Sequence, residues 1–148
     1  MKPTTRRSLL GALAGAGAVT AASAQSCPVK EVHYRKGRKP KSTPLYSSAI
    51  SLGNLVFISG TGVNEPLNVG GQTDRVLKSL EERLILAGSS MEKVVKCNVY
   101  LQDLRDYDEM NEAFRGRFGP EPPVRTTVSV AGIPLKDCRV EIEVIGYR

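Results

Sequence analysis

The sequence is 148 residues long, 41% apolar and 24% charged, which fits one domain because separate cores need roughly 100–200 residues each. The formal net charge is +6, but the first 24 residues hold three basic groups and no acidic one. The remaining 18 basic and 15 acidic groups leave only +3, too little for a phosphate-binding stripe. With 5% aromatic residues and no Trp, the chain also lacks the stacking platform of a single-stranded nucleic-acid binder. Nucleic acid is therefore not an expected partner.

Residues 1–24 have the pattern of a secretory signal peptide. The basic pair Arg6-Arg7 precedes a modestly apolar stretch over residues 9–19, and Ala22-Ser23-Ala24 supplies the small residues of a cleavage site. The stretch is too short to span a bilayer, which takes about 20 apolar residues. Its Gly- and Ala-rich character after an Arg pair is typical of twin-arginine signals, and an ordinary Sec signal is the alternative. We expect export to the periplasm or beyond, with no stable membrane anchor after cleavage.

Three cysteines, Cys27, Cys97 and Cys138, follow the expected cleavage site. An odd number cannot pair fully within one chain, and the sequence leaves open a bridge between Cys27 and Cys138. Cys97 lies in an apolar run and is expected to be buried. Because His33 is the single histidine and no Cys-x-x-Cys spacing occurs, a tetrahedral zinc site lacks ligands. We predict no metal site.

The segment over residues 25–43 is basic and contains Pro and Gly, which predicts an extended, mobile, solvated chain. A single folded domain is predicted over residues 44–148. Its helices follow from apolar residues at the 3.6-residue spacing, and its strands from β-prone or alternating runs. In chain order we predict strands over 46–51 and 55–59, a helix over 72–87, a strand over 94–101, a helix over 106–118, and strands over 124–131 and 139–147.

The resulting order, β-β-α-β-α-β-β, predicts an α+β fold in which a mixed sheet carries both helices on one face. The other face then stays uncovered although it carries apolar side chains among its polar ones. Exposure of these apolar side chains to water costs several kcal/mol, at about 25 cal/mol per Å² of apolar surface. That cost is large compared with a net folding stability of roughly 5–15 kcal/mol. We therefore expect self-association through the open face, with ligand sites in the clefts between protomers.

Two titratable residues on the last strands are candidates for chemistry. Strand alternation places Arg125 on the same face as Thr127, and a guanidinium held on a strand suits a carboxylate because its planar fork offers two parallel N–H donors. Glu141 can take a proton from water if it lies in a cleft. The alternative is that Arg125 and Glu141 merely form a cross-strand ion pair. No Gly-x-Ser-x-Gly motif occurs and His33 lies in the N-terminal segment, so a serine or cysteine nucleophile has no credible base.

Two further polar residues have two interpretations each. Tyr46, near the first predicted strand, is placed to hydrogen-bond a ligand or simply to pack. Asn111 interrupts the apolar stripe of the second helix beside Met110 and faces either a cleft or solvent. The residues alone do not decide between these interpretations.

Five segments, taken together and in order, resemble the RidA/YjgF family of reactive intermediate (imine) deaminases. They are GNLVFISG at 53–60, LAGSS at 86–90 leading into VVKCNVYL at 94–101, DYDEMN at 106–111, PVRTTV at 123–128 and VEIE at 140–143. The resemblance implies a chorismate-mutase-like α+β fold, assembled as a homotrimer with sites in the three clefts between subunits. It also implies hydrolysis of 2-imino acids, such as 2-iminobutanoate and 2-iminopropanoate, to 2-keto acids and ammonia without a cofactor.

The same resemblance assigns roles residue by residue. Arg125 matches the arginine that grips the substrate carboxylate, and Glu141 matches the glutamate that orients and deprotonates the attacking water. Thr127 stands where the family's backbone helps to hold that water. The positions that line the pocket are matched by Tyr46, Ser59, Gly60 and Asn111.

Three features depart from the family pattern. The stretch over residues 61–72 is shorter than usual, Thr61 replaces the Gln that commonly follows Ser-Gly, and a signal peptide precedes the domain. A non-catalytic trimer that binds small carboxylates or interacts with proteins is the alternative function, because this fold hosts several roles. An RNA-cleaving activity is disfavoured by the export signal and the small net charge beyond it.

Overall fold

The computed structural model describes residues 27–148, so the predicted signal peptide lies outside the described residues. Strands β1 to β6 are Lys30–Val32, Ala49–Leu52, Leu55–Thr61, Val94–Leu101, Val124–Ser129 and Val140–Tyr147, and helices α1 and α2 are Val69–Leu86 and Tyr107–Phe114. The strands form one sheet in the order β1-β2-β3-β6-β4-β5, in which β4 and β5 are parallel and the other neighbours antiparallel. Helix α1 packs on α2, β3 and β6. The predicted α+β fold, a mixed sheet with two helices, is confirmed.

Helix α1 begins three residues before its predicted start. The Asn68 side chain accepts a hydrogen bond of 2.9 Å from the Gly71 N–H, which satisfies one of the amides left free at a helix N-terminus. The apolar face of the helix is fully buried and includes Leu77, Leu80 and Leu84. Gly88, at a φ of 79°, ends the helix because glycine adopts this left-handed conformation without steric cost.

Helix α2 is shorter than predicted. It ends at Phe114, and Gly116 follows at a φ of 74°, a conformation that does not continue an α-helix. Phe118 nevertheless remains buried, with its ring centroid 4.8 Å from that of Phe114. The predicted apolar residues therefore pack as expected, but the last predicted turn, residues 115–118, is not helical.

Part of the N-terminal segment pairs with the sheet, which its composition does not predict. Strand β1 pairs with β2 through Lys30 to Val32, and Glu31 is held by an ion pair of 2.9 Å with Arg148. The hydrogen bond and charge of Arg148 lower the pKa of Glu31. The buried Ser51 hydroxyl adds a hydrogen bond of 3.3 Å to Glu31 and lies 2.9 Å from the His33 ring. Single-sequence composition misses β1 because its stability comes from these non-local partners.

The face of the sheet opposite the helices carries both apolar and polar side chains. Ile50, Phe57 and Ile145 follow one another across neighbouring strands and are partly exposed. Beside them, Glu143 accepts hydrogen bonds from Asn98 at 2.8 Å and from Tyr100 at 2.9 Å. Hydrogen bonding to Glu143 raises the pKa of Tyr100. No element of residues 27–148 covers this surface, which we call the open face.

All three cysteines are free thiols, so the bridge that the sequence left open between Cys27 and Cys138 is not formed. Cys97 is fully buried as expected, and burial raises its pKa to about 12. Thiolate chemistry at Cys97 is therefore unfavourable at neutral pH. Within residues 27–148, no helix combines the length and apolar character needed to cross a membrane.

Candidate functional site

Arg125 lies on β5 with its side chain directed toward the helices. In the parallel register, Arg125 stands opposite Cys97 and Thr127 opposite Val99, and both β4 partners are fully buried on the helix side. The Arg125 guanidinium donates a hydrogen bond of 2.7 Å to Asn111 Oδ1 and lies 4.7 Å from the Phe114 ring centroid. Helix α2 therefore fixes the guanidinium on two sides, by an amide oxygen and by a cation–π contact.

The Arg125 guanidinium retains free donors. It takes no part in the ion pairs found within residues 27–148, and its side chain is only half-buried. It borders a cavity of about 420 Å³ together with Asn111, Phe114 and Pro123. We call this group the arginine half-site. A guanidinium with a fixed plane and unused N–H groups is suited to binding a carboxylate bidentately.

Glu141 lies on β6 and points to the open face. It stands opposite Tyr100 on β4, and the two residues border a small cavity of about 190 Å³ together with Gly132 and Ile133. The pairing of β3 with β6 is irregular between Ile58 and Thr61, and the Glu141 carboxylate lies against Gly60 at this irregularity. A Cβ atom built on Gly60 would lie 2.1 Å from Glu141 Oε1. We call Gly60, Ser59 and Glu141 the glutamate half-site.

The two half-sites lie on opposite faces of the sheet within one chain. Arg125 shares its face with the buried Cys97, whereas Glu141 shares its face with Tyr100, and side chains three positions apart on β4 point to opposite faces. In addition, β4 separates β5 from β6. The cross-strand ion pair between Arg125 and Glu141, the simpler alternative, is therefore wrong.

The other predicted site residues are divided between these regions. Asn111 belongs to the arginine half-site, where it borders the cavity of about 420 Å³. The Ser59 hydroxyl donates to the Ser48 carbonyl at 3.3 Å. Tyr46 is 68% exposed and borders a cavity of about 360 Å³ formed with the N-terminal segment. Thr127 Oγ1 is buried and has no hydrogen-bond partner within the described part of the chain.

Sequence reasoning missed two contributors to these half-sites. Phe114 was predicted only as part of the apolar stripe of α2, yet its ring supports the Arg125 guanidinium. Arg83 on α1 was not singled out, although its guanidinium lies 2.5 Å from the Thr61 hydroxyl beside the glutamate half-site. An arginine on an otherwise exposed helical position gives no sequence signal of such a contact.

Comparison with known proteins agrees with the fold and the order of these elements. Residues 36–147 match the family model described as Endoribonuclease L-PSP. The chain belongs to this family, which is also called the RidA/YjgF family. Among its relatives, a RutC family protein of Pyrococcus abyssi is 38% identical over 126 residues, which cover 80% of this chain and 98% of that protein. The chloroplastic Reactive Intermediate Deaminase A of Arabidopsis thaliana is 35% identical over 131 residues, 84% of this chain and 70% of that protein.

Solved structures of RidA/YjgF proteins share this fold. E. coli TdcF with bound serine has 29% sequence identity and a TM-score of 0.69, with 80% of this chain and 98% of that chain covered. The yeast protein Mmf1 has 27% identity and a TM-score of 0.72, with 81% and 99% covered. The family thus contains a named deaminase and a protein with a bound amino acid.

Proposed function

We propose that this RidA/YjgF protein hydrolyses 2-imino acids, of the 2-iminobutanoate and 2-iminopropanoate type, to 2-keto acids and ammonia. One observation carries the proposal: Arg125 presents unused guanidinium donors on one face of the sheet, while Glu141 presents its carboxylate on the other. Such a pair is complete only when the arginine half-site of one protomer meets the glutamate half-site of a neighbour. The relative named as a reactive intermediate deaminase supports the reaction class.

The two half-sites have separate tasks in this reaction. The Arg125 fork binds the substrate carboxylate, and Asn111 and Phe114 keep the fork in its plane. The imine carbon is already electrophilic, so fixing the substrate next to a water molecule supplies most of the rate enhancement. As the water oxygen bonds to this carbon, Glu141 takes the water proton. Glu141 then gives this proton to the nitrogen, which yields a carbinolamine. In the second half, Glu141 takes the proton of the carbinolamine hydroxyl and passes it to the amine nitrogen, so that the C=O bond forms as the C–N bond breaks and ammonia leaves with the keto acid.

The proposed assembly is a homotrimer built through the open face. Ile50, Phe57 and Ile145 are partly exposed apolar side chains on that face, and their burial against a second protomer is favourable. A closed cyclic assembly repeats one contact, so each of its clefts contains one arginine half-site and one glutamate half-site. Sedimentation equilibrium of the protein tests this assembly, and a monomer at all concentrations would contradict it.

The experiment for the proposed activity generates 2-iminobutanoate in situ from threonine with a dehydratase and follows the decay of the imine. We expect the wild-type protein to accelerate the decay in proportion to its concentration. The absence of acceleration would reject the proposed activity. RNA is included as a second substrate because of the family name, and we expect no cleavage of it.

A non-catalytic carboxylate-binding trimer is the second candidate function, and the serine bound to E. coli TdcF favours it. Both candidates use Arg125 to hold a carboxylate. Titration calorimetry with 2-ketobutanoate measures that binding without requiring turnover. Binding that depends on Arg125, together with unaccelerated imine decay, would establish the binding protein rather than the enzyme.

Gly60→Ala is expected to lower imine hydrolysis about tenfold or more while leaving the fold intact. A Cβ atom at this position overlaps Glu141 Oε1, the flexible end of a side chain, so the carboxylate moves away from its water at little cost in stability. Gly70→Ala is the matched control, since a Cβ atom there also approaches a flexible carboxylate, Glu109 Oε1 at 3.1 Å, but on helix α1 and away from Glu141. Steady-state kinetics and thermal unfolding of both variants make the comparison, and equal activity would contradict the placement of Glu141.

We also propose that the protein acts after export, on imines that reach or arise in the periplasm or beyond. Support comes from the basic pair and the small-residue cleavage pattern within residues 1–24. Cell fractionation with an antibody against the domain tests this location. Recovery of the whole pool in the cytoplasm, at its full uncleaved mass, would contradict it.

A further inference from the structure

Arg83 is a half-buried arginine on α1 without an acidic partner. It lies in the last turn of the helix and takes no part in the ion pairs found between residues 27 and 148. Burial lowers the pKa of Arg83, and the nearby charge of Arg35 lowers it further. A guanidinium stays protonated at neutral pH despite such a shift. Its position is therefore costly and needs a strong local hydrogen bond.

That hydrogen bond goes to Thr61 at the end of β3. Arg83 Nη1 donates to Thr61 Oγ1 at 2.5 Å, and the Thr61 hydroxyl in turn donates to the Ser59 carbonyl at 3.0 Å. Thr61 is 4% exposed, so water does not compete easily for these bonds. The charged donor strengthens the chain of hydrogen bonds, because each bond polarises the next.

The end of this chain of hydrogen bonds is the irregular part of β3. Between Ile58 and Thr61 the regular pairing with β6 is interrupted. The Ser59 N–H still donates to the Ser48 carbonyl at 3.1 Å on the other side, but on the β6 side the ladder does not fix the backbone of Ser59 and Gly60. The bond from Thr61 to the Ser59 carbonyl supplies a local constraint instead. Gly60, the next residue, lies directly against the Glu141 carboxylate.

We infer that Arg83 is a positioning residue for Glu141, acting through Thr61 and the Ser59 carbonyl on the backbone of Gly60. This inference rests on the proposed function, in which Glu141 deprotonates water. Arg83 itself approaches the site from the helix side of the sheet and contacts no reacting atom. Without Arg83, the backbone of Ser59 and Gly60 can shift. Gly60 then no longer holds the Glu141 carboxylate in one position.

The expected kinetic effect falls on kcat. A misplacement of about 1 Å in a catalytic group can cost roughly 100-fold, and a partial loosening of Gly60 is expected to cost about tenfold. The KM for the imine changes less than about twofold, because Arg125 in the other half-site holds the substrate carboxylate and is untouched.

Two variants break the chain of hydrogen bonds at different points. Arg83→Gln removes the charge and most donors, and Thr61→Val removes the hydroxyl while keeping the shape of the side chain. Each is expected to lower kcat about tenfold, and the double variant is expected to be no worse than either one, since both remove the same constraint. If the two residues acted independently, their losses of kcat would multiply to about 100-fold in the double variant. That result would overturn the inference.

Arg75→Gln is the matched control on the same helix. Arg75 is exposed and pairs with Glu65 at 3.1 Å, so the same chemical change there is expected to leave kcat within about twofold of the wild type. Thermal unfolding of every variant identifies any loss that is due to unfolding. A wild-type kcat in Arg83→Gln, with imine hydrolysis intact in the wild type, would reject the positioning role alone.

A measurement independent of turnover separates this inference from the proposed function. The amide resonance of Gly60 in the NMR spectrum is expected to shift or broaden in Arg83→Gln and Thr61→Val, and to stay unchanged in Arg75→Gln. If the wild type hydrolyses no imine, the proposed function fails and this spectrum still decides whether Arg83 orders Gly60. An unchanged Gly60 resonance in both variants would overturn the inference.

Discussion

Arg125→Ala is expected to reduce kcat/KM for 2-iminobutanoate about 30- to 5000-fold. The variant loses a two-point, charge-assisted contact with the substrate carboxylate, and truncating one partner of such a pair costs about 2–5 kcal/mol. Each 1.36 kcal/mol corresponds to a tenfold change in rate. The protein is expected to remain folded, because Arg125 is half-buried and its hydrogen-bond partner Asn111 is itself partly exposed. Imine decay kinetics and thermal unfolding measure the two effects.

The matched variants separate charge, geometry and general surface effects. Arg125→Lys keeps the charge but not the planar fork, so we expect an intermediate loss of about tenfold or more. Arg105→Gln changes an arginine whose side chain is 90% exposed, and it is expected to retain wild-type rates. Acceleration by Arg125→Ala equal to that of the wild type would reject the role of Arg125.

Mixing two inactive variants is expected to restore activity. In the proposed trimer, Arg125→Ala lacks a working arginine half-site and Glu141→Gln lacks a working glutamate half-site, so each variant alone is expected to be inactive. In every trimer that contains both chains, one cleft of the three receives both intact halves, which predicts about a third of the wild-type rate per chain. Coexpression of differently tagged chains, followed by purification through both tags, yields the mixed species for the imine assay.

The control for mixing is the doubly substituted chain. Coexpression of the wild type with a chain that carries both Arg125→Ala and Glu141→Gln, purified through both tags in the same way, leaves both halves intact in only about one cleft in six. A site formed within a single chain would behave differently, because every chain in the first mixture carries one lesion. No recovery in that mixture, despite mixed trimers, would contradict a site shared between protomers.

The sequence predicts the face on which a side chain lies within its own strand, but not how strands align. Alternation correctly places Arg125 on the same face as Thr127. The separation of Arg125 from Glu141 depends on the register of both strands against β4. Register is set by packing across strands and by the connecting loops, which a single sequence does not reveal. A site between protomers is expected from the uncovered face and from the family resemblance, but the placement of Arg125 and Glu141 on opposite faces is not.

Contacts between distant segments are the other part that sequence reasoning misses. Strand β1 is held by Arg148 at the opposite end of the chain, and Arg83 reaches Thr61 across 22 positions. The sequence around β1 is simply basic, and Arg83 lies on a polar helix face. Neither local pattern indicates the distant partner. The start of α1 is different, because it depends on a local contact, in which Asn68, a residue type that commonly caps helices, accepts from the Gly71 N–H.

Strand β5, which carries Arg125, is the last strand of the sheet and leaves one row of backbone N–H and C=O groups without a strand partner. An exposed strand edge of this kind can pair with a strand of another chain and so promote aggregation. Pro122 and Pro123, just before β5, limit such pairing because proline has no N–H. In the proposed trimer, the adjacent protomer would cover this edge of β5. Substitutions that dissociate the trimer are then expected to abolish turnover and to promote aggregation. Activity and resistance to aggregation would therefore depend on the same contact between protomers.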